Sequence, residues 1–129
     1  MTQKEKDELL QILSAMLPWR VKIDCFSVPR TLESIAIDRD GFITIDCGGD
    51  HFYHPFSNKL HKGCLPYLRP MESMTEEEEA RRCAFLDDIE GGIYNAIPNY
   101  IDYLNSIHID YRGLIKKGLA LEAPEGMYN

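Results

Sequence analysis

The residues best able to do chemistry crowd into one stretch. Cys47, His51, His54, His61 and Cys64 include three of the four histidines and two of the four cysteines. Thiolate and imidazole are the ligands of structural zinc, which takes four of them in a tetrahedron. Three residues separate Cys47 from His51 and two separate His61 from Cys64, spacings suited to ligand pairs. The nine residues between His51 and His61 make a short connection between pairs. The five are therefore candidate ligands, set against a plainer reading of small buried cysteines at strand ends with histidines on a loop. A structural zinc would supply about 10–16 kcal/mol of apparent binding energy, so a chelator would lower the melting temperature if the ion is bound.

Other chemistry is less well supported by spacing. Cys64 near His61, or Cys25 and Cys83 elsewhere, could pair with a histidine as a hydrolase nucleophile, but no flanking motif accompanies them. Asp87 and Asp88 read as solvated carboxylates. Gly48-Gly49 precedes no helix and no Lys-Ser or Lys-Thr, which excludes a phosphate loop. Lys59, Lys62, Arg69, Arg81 and Arg82 form the one basic stretch, with Tyr53, Phe56 and Tyr67 interleaved. Such a patch on an exposed sheet could bind single-stranded nucleic acid, giving a zinc-stabilised nucleic-acid module as one alternative. Seven tyrosines are the other surplus, and Tyr94 and Tyr103 fall off the expected core stripe of their helix, where tyrosine favours protein interfaces.

The elements that position these residues follow from composition and periodicity. The 129 residues suit one domain, and 44 % hydrophobic with 27 % charged residues is ordinary globular composition. Acids exceed bases, 21 against 14, for a net charge of −7 and a pI near 5.0. That balance opposes a general phosphate-backbone binder. No run approaches the roughly 18 apolar residues of a membrane span. The charged opening Met1–Glu8 lacks a signal peptide's apolar core, and four cysteines are too few for a disulfide scaffold, so a reducing cytoplasm is expected.

Thr2 and Glu5 have the spacing of a helical capping box, and Leu9, Ile12, Leu13 and Met16 follow as one apolar stripe that Pro18 ends. Val21, Ile23 and Cys25 then alternate with polar residues as a strand that Pro29 closes. Ser34 to Asp38 and Phe42 to Cys47 form a hairpin, for which two registers are possible. A three-residue connection puts Ile37 opposite Ile43 and Ile35 opposite Ile45, with Gly41 at a left-handed bulge position; a two-residue connection would mix polar and apolar side chains. His51 to His54 suits a short strand, and Leu65 to Pro70, bounded by prolines, suits an edge strand or strap. Thr75 with Glu78 is a second capping box, starting a helix whose buried side is expected to be Ala80, Cys83, Ala84 and Phe85. Ile97, Tyr100, Ile101, Leu104 and Ile107 suggest the core stripe of a third helix starting near Pro98. Asp110 is expected to cap a short last helix, Tyr111 to Lys117, stopped by Gly118.

Residues 66–78 and 103–128 resemble a family of small proteins from gut Bacteroidales genomes and their phages and mobile elements. The resemblance rests on Pro66-Tyr67-Leu68-Arg69-Pro70, Ser73-Met74-Thr75-Glu76-Glu77-Glu78, Asp110-Tyr111-Arg112-Gly113-Leu114-Ile115 and Ala123-Pro124-Glu125-Gly126-Met127-Tyr128, with Leu17-Pro18 closing the first helix. Glu72 stands where the family pattern has serine, and the cysteine- and histidine-bearing middle lies outside the resemblance. It implies a genomic setting and a cytoplasmic location, and carries over no activity, cofactor or catalytic residue.

The expectation is thus one α+β domain over residues 1–121 with a tail over 122–129. An antiparallel meander of three or four strands, with its hairpin at 34–47, is covered by an N-terminal helix and the C-terminal helices; an SH3-like small barrel with appended helices is the alternative. The expected function is that of a non-enzymatic accessory protein of a phage or mobile element, acting on a protein partner. The competing classes are the zinc-stabilised nucleic-acid module and a cysteine/histidine hydrolase.

Overall fold

A computed structural model describes residues 2–25, 28–37, 39, 43–47, 52–53 and 65–128. The protein is α+β. Helix α1 (Gln3–Met16) starts at the expected capping box: the Thr2 hydroxyl accepts from the Glu5 amide at 3.1 Å and the Glu5 carboxylate accepts from the Thr2 amide at 2.9 Å. Its stripe of Leu9, Ile12, Leu13 and Met16 is fully buried. Pro18 falls in a 3-10 turn, Leu17–Trp19, which ends on Arg20 in the left-handed region.

Strands β1 (Lys22–Cys25) and β2 (Val28–Thr31) form an antiparallel pair. Pro29 does not close the first strand as expected; it stands inside the second, opposite Asp24. Proline is tolerated on an edge strand such as β2, where its missing N–H faces away from the ladder. Strands β3 (Ser34–Ile37) and β4 (Ile43–Asp46) pair with Ile37 opposite Ile43 and Ile35 opposite Ile45, the register of the three-residue connection. The bulge expected at Gly41 lies outside the described residues. Strand β5 (Phe52–Tyr53) adds to β4 as the third antiparallel strand.

Strand β6 (Tyr67–Leu68), expected as an edge strand or strap, is one strand of a two-stranded sheet whose flanking residues also bridge to other elements. It pairs in parallel with β7 (Leu121–Glu122), while Pro66 bridges to Ile23 of β1 and Arg69 bridges to Ile109. Proline lacks a donor but keeps its carbonyl. The Pro66 carbonyl accepts from the Leu121 amide at 2.8 Å, and the neighbouring Leu65 carbonyl accepts from the Asp24 amide at 2.9 Å. Among the described residues the strands form three small sheets and no closed barrel.

The core gathers α1, Val21 and Ile23, Ile45 and Cys47, Leu68, and Leu114 and Leu119 from the C-terminal turns. Those turns replace the expected helix over Tyr111 to Lys117. Gly113 at φ +70° interrupts helical geometry, although Asp110 does cap, its carboxylate accepting from the amides of Leu114 at 2.7 Å and Ile115 at 3.0 Å. The segment expected as a tail is built in: β7 straddles residue 121, and the Tyr128 hydroxyl accepts from the Lys22 amide at 2.9 Å while donating to the Tyr67 carbonyl at 2.6 Å.

Helices α2 (Glu76–Glu90) and α3 (Ala96–Ser106) complete the fold as a helical hairpin. Helix α3 packs against α1 and buries Ala96, Leu104 and Asn105, while α2 packs on α3 and buries no residue fully.

Candidate functional site

Two places on the molecule concentrate chemistry, and they adjoin. The first is the junction between the body and the hairpin, centred on Arg69. The Arg69 guanidinium makes a bidentate pair with Glu78, at 2.8 and 2.7 Å. Its remaining N–H groups donate to the Ser73 hydroxyl at 3.3 Å, the Ser73 carbonyl at 3.0 Å and the Ile107 carbonyl at 3.3 Å. All five of its donors are thereby engaged. The Arg69 hydrogen bond is the main cause that holds the Glu78 carboxyl down at about 2, and the same contact raises Arg69. Glu78 also accepts from the Thr75 amide at 2.9 Å, while the Thr75 hydroxyl accepts from the Glu78 amide at 3.2 Å. One carboxylate therefore caps α2 and clamps it to Arg69, the residue after β6.

Beside this junction lies His108, in left-handed backbone geometry at φ +60°. Its Nε2 faces the Trp19 carbonyl at 2.7 Å, so that nitrogen carries the proton. Its ring stacks on Tyr128 with centroids 3.8 Å apart. Burial holds His108 below the ordinary imidazole range and pushes the Tyr128 phenol up. A cleft of about 470 Å³ opens here, lined by Arg69, Ser73, Thr75 and the closing segment Glu122 to Tyr128. Its strongest cation is the fully engaged Arg69.

The second place is the hairpin surface. Along α2 the half-buried positions are Glu78, Arg82, Phe85 and Ile89, which follow at helical spacing and face α3. Phe85 sits between Tyr100, at 5.9 Å, and Tyr103, at 5.3 Å. Arg82 donates to the Tyr100 hydroxyl at 3.1 Å and pairs with Glu79 at 2.7 Å. Arg81 lies over the Tyr103 ring at 5.4 Å. These contacts fix the rotation of the two helices: Arg82 and Tyr100 mark one side of the seam, Arg81 and Tyr103 the other.

Each residue advances an α-helix by about 100°, so neighbours on a side can be assigned. Leu86, four residues after Arg82, lies on the Arg82 side; Ile97, three before Tyr100, lies on the same side, with Ile101 one turn on. Ile97 is 61 % exposed, and Leu86 at 38 % and Ile101 at 37 % are partly so. At the hairpin tip Ile93 is 58 % and Tyr94 87 % exposed. The tip is formed by Gly92 at φ +70° and Asn95 at φ +61°, left-handed positions that end α2 and start α3. Among the described residues eight large apolar side chains are exposed, and five of them belong to this hairpin. The others, Trp19, Val28 and Met71, are separated in sequence.

The expected core stripe of α3 is therefore corrected: Leu104 is buried and Tyr100 half-buried, but Ile97 and Ile101 face outward. On α2, Ala80, Cys83 and Ala84 are exposed, and Phe85 alone of the four expected residues turns inward. Charge is as uneven as burial. Positions 76–106 carry eight acids and two bases, a net of −6 out of the chain's −7.

Of the candidate zinc ligands, only Cys47 lies among the described residues, 4 % exposed in the core at the end of β4. His51, His54, His61 and Cys64 lie outside them, as do Lys59 and Lys62 of the basic stretch. Among the described residues no group of three or more histidine, cysteine or acidic side chains is arranged to hold a metal. Arg69, Arg81 and Arg82 are brought near one another but spend their charge on Glu78, the Tyr103 ring, and Glu79 with Tyr100. No helix among the described residues is long and apolar enough to cross a membrane.

Sequence reasoning found Tyr94 but missed Leu86, Ile93, Ile97 and Ile101 as surface. The signal was present in α2: four consecutive glutamates and few apolar residues leave too little apolar surface to cover both sides of α3. No family model, curated protein or solved structure matches this chain.

Proposed function

We propose that this is a non-enzymatic interaction protein, an accessory factor of a phage or mobile element, that docks a protein partner on the α2–α3 hairpin. The observation that carries this reading is the exposure of Ile93, Tyr94 and Ile97 beside Leu86 and Ile101 on one small element. A contiguous apolar patch costs solubility unless something covers it, and such patches mark interaction sites. Tyrosine and isoleucine anchors beside charged side chains fit the anatomy of a docking surface, with an apolar centre and a polar rim. The clamp at Arg69 supports the reading, because it holds the hairpin on the body without using the apolar side chains. The genomic setting rests on the resemblance of residues 66–78 and 103–128.

The test is affinity capture from a native host with the wild-type chain and with Ile97→Asp, followed by reconstitution from purified components. A partner retained by the wild type, lost from the variant and rebound in purified form supports the proposal. Equal capture by the two chains overturns it.

A further inference from the structure

We infer that the occupant of the hairpin surface is a basic amphipathic helix, laid along the α2–α3 seam as a third helix. This rests on the docking reading above and adds the chemistry of the partner. Two paired helices with an uncovered apolar side present the geometry of helix-in-groove recognition, in which anchors at positions i, i+3 or i+4, and i+7 enter between them. Leu86 from one helix and Ile97 and Ile101 from the other supply the two walls, and Tyr94 stands exposed at the tip.

Charge decides between occupants. The hairpin's own residues sum to −6, of which the Glu78 charge is answered by Arg69 from outside it, and the exposed Glu90 stands four residues after Leu86, on the rim of the apolar side. A second copy seated on the same surface would bring one acidic hairpin against another, and like charges across an interface oppose docking and slow the encounter. Nucleic acid is repelled for the same reason. A helix with leucine or isoleucine on one side and lysine or arginine on the other satisfies both features, because its cations reach the rim while its apolar side fills the seam.

The experiment pans a display library of random helical peptides on the full-length chain, with Ile97→Asp as counter-selection. Melting curves verify that the variant stays folded, and sedimentation velocity of the unliganded chain runs alongside. The expected winners bind the wild type, lose about tenfold or more in affinity on Ile97→Asp, weaken with added salt, and carry net positive charge with apolar residues at helical spacing. Winners that depend on Ile97 but are neutral or acidic overturn the partner's chemistry and leave the docking surface standing. A dimer of the free chain that Ile97→Asp dissolves makes the occupant a second copy and also overturns it. Winners indifferent to Ile97, or no winners, overturn the docking reading itself.

Discussion

Helices α1 and α2 begin alike and end up in opposite environments. They have 14 and 15 residues, and each starts at a threonine–glutamate capping box with both reciprocal hydrogen bonds formed. Helix α1 buries Leu9, Ile12, Leu13 and Met16 at the centre of the body; helix α2 buries no residue fully. The difference teaches that a cap fixes where a helix starts and says nothing about where it packs. Packing follows the apolar stripe, and in α2 that stripe is reduced to Phe85 and Ile89 flanked by the stems of Glu78 and Arg82. The body is accordingly a cohesive, nearly neutral core, and the hairpin an acidic arm held at its base.

Substitutions should separate the two regions most sharply where side chains are buried. Leu13→Ala in α1 is expected to cost about 2.7–5 kcal/mol, the range for emptying a packed leucine site. Ile97→Asp is expected to stay within about 0.5 kcal/mol, as for a surface change. Urea unfolding of the two variants measures the contrast, and a comparable loss at Ile97 would place that residue in the core.

The clamp between the regions comes next. Glu78 is held down at about 2 against an ordinary 4.5, chiefly by its hydrogen bond to Arg69. Because the folded value is the lower one, the pair's contribution is fully present above pH 4.5 and is lost as pH falls toward 2. Linkage sets an upper figure of about 3 kcal/mol, which solvent screening at this partly exposed pair lowers, and Glu78→Gln should remove the contribution and flatten stability across that window. His108, held low by burial, also loses stability on acidification, starting from its ordinary 6.5 downward, so the wild type should show an earlier decline that Glu78→Gln keeps.

Two smaller effects sharpen the comparison. Tyr128→Phe removes the hydroxyl that serves the Lys22 amide and the Tyr67 carbonyl, for an expected loss of about 1–2 kcal/mol and faster amide exchange at Lys22. Thr75→Ala removes the α2 cap, for about 1 kcal/mol. Its signature in hydrogen exchange should be confined to the hairpin, with the α1 amides unchanged.

Local pattern made much of the body legible. The Thr2 cap, the α1 stripe, and the β3–β4 register followed from residue types a few positions apart, where helical or strand geometry leaves few choices. The errors arose where a partner far along the chain decided the outcome. Pro66 and Pro70 suggested an edge strand or strap without naming its neighbours, which are set by the Leu65 and Pro66 carbonyls accepting from the amides of Asp24 and Leu121. The closing segment looked like a tail because proline and glycine sit within it, yet one tyrosine hydroxyl fastens it to two strands. The α3 stripe was read as core because a periodic run of isoleucine and leucine states that one side is apolar, not that another surface covers it.

The sequence by itself determined the α+β class, the two capped helices, the hairpin register and the acidic excess. Each of these is set by backbone propensity, capping or side-chain period within a short span. Only the tertiary structure decided that Arg69 spends all five donors at a junction and that six of the seven net charges ride on an arm with an uncovered apolar side. Those facts depend on which surfaces meet, and burial belongs to a pair of surfaces, not to one stretch of chain.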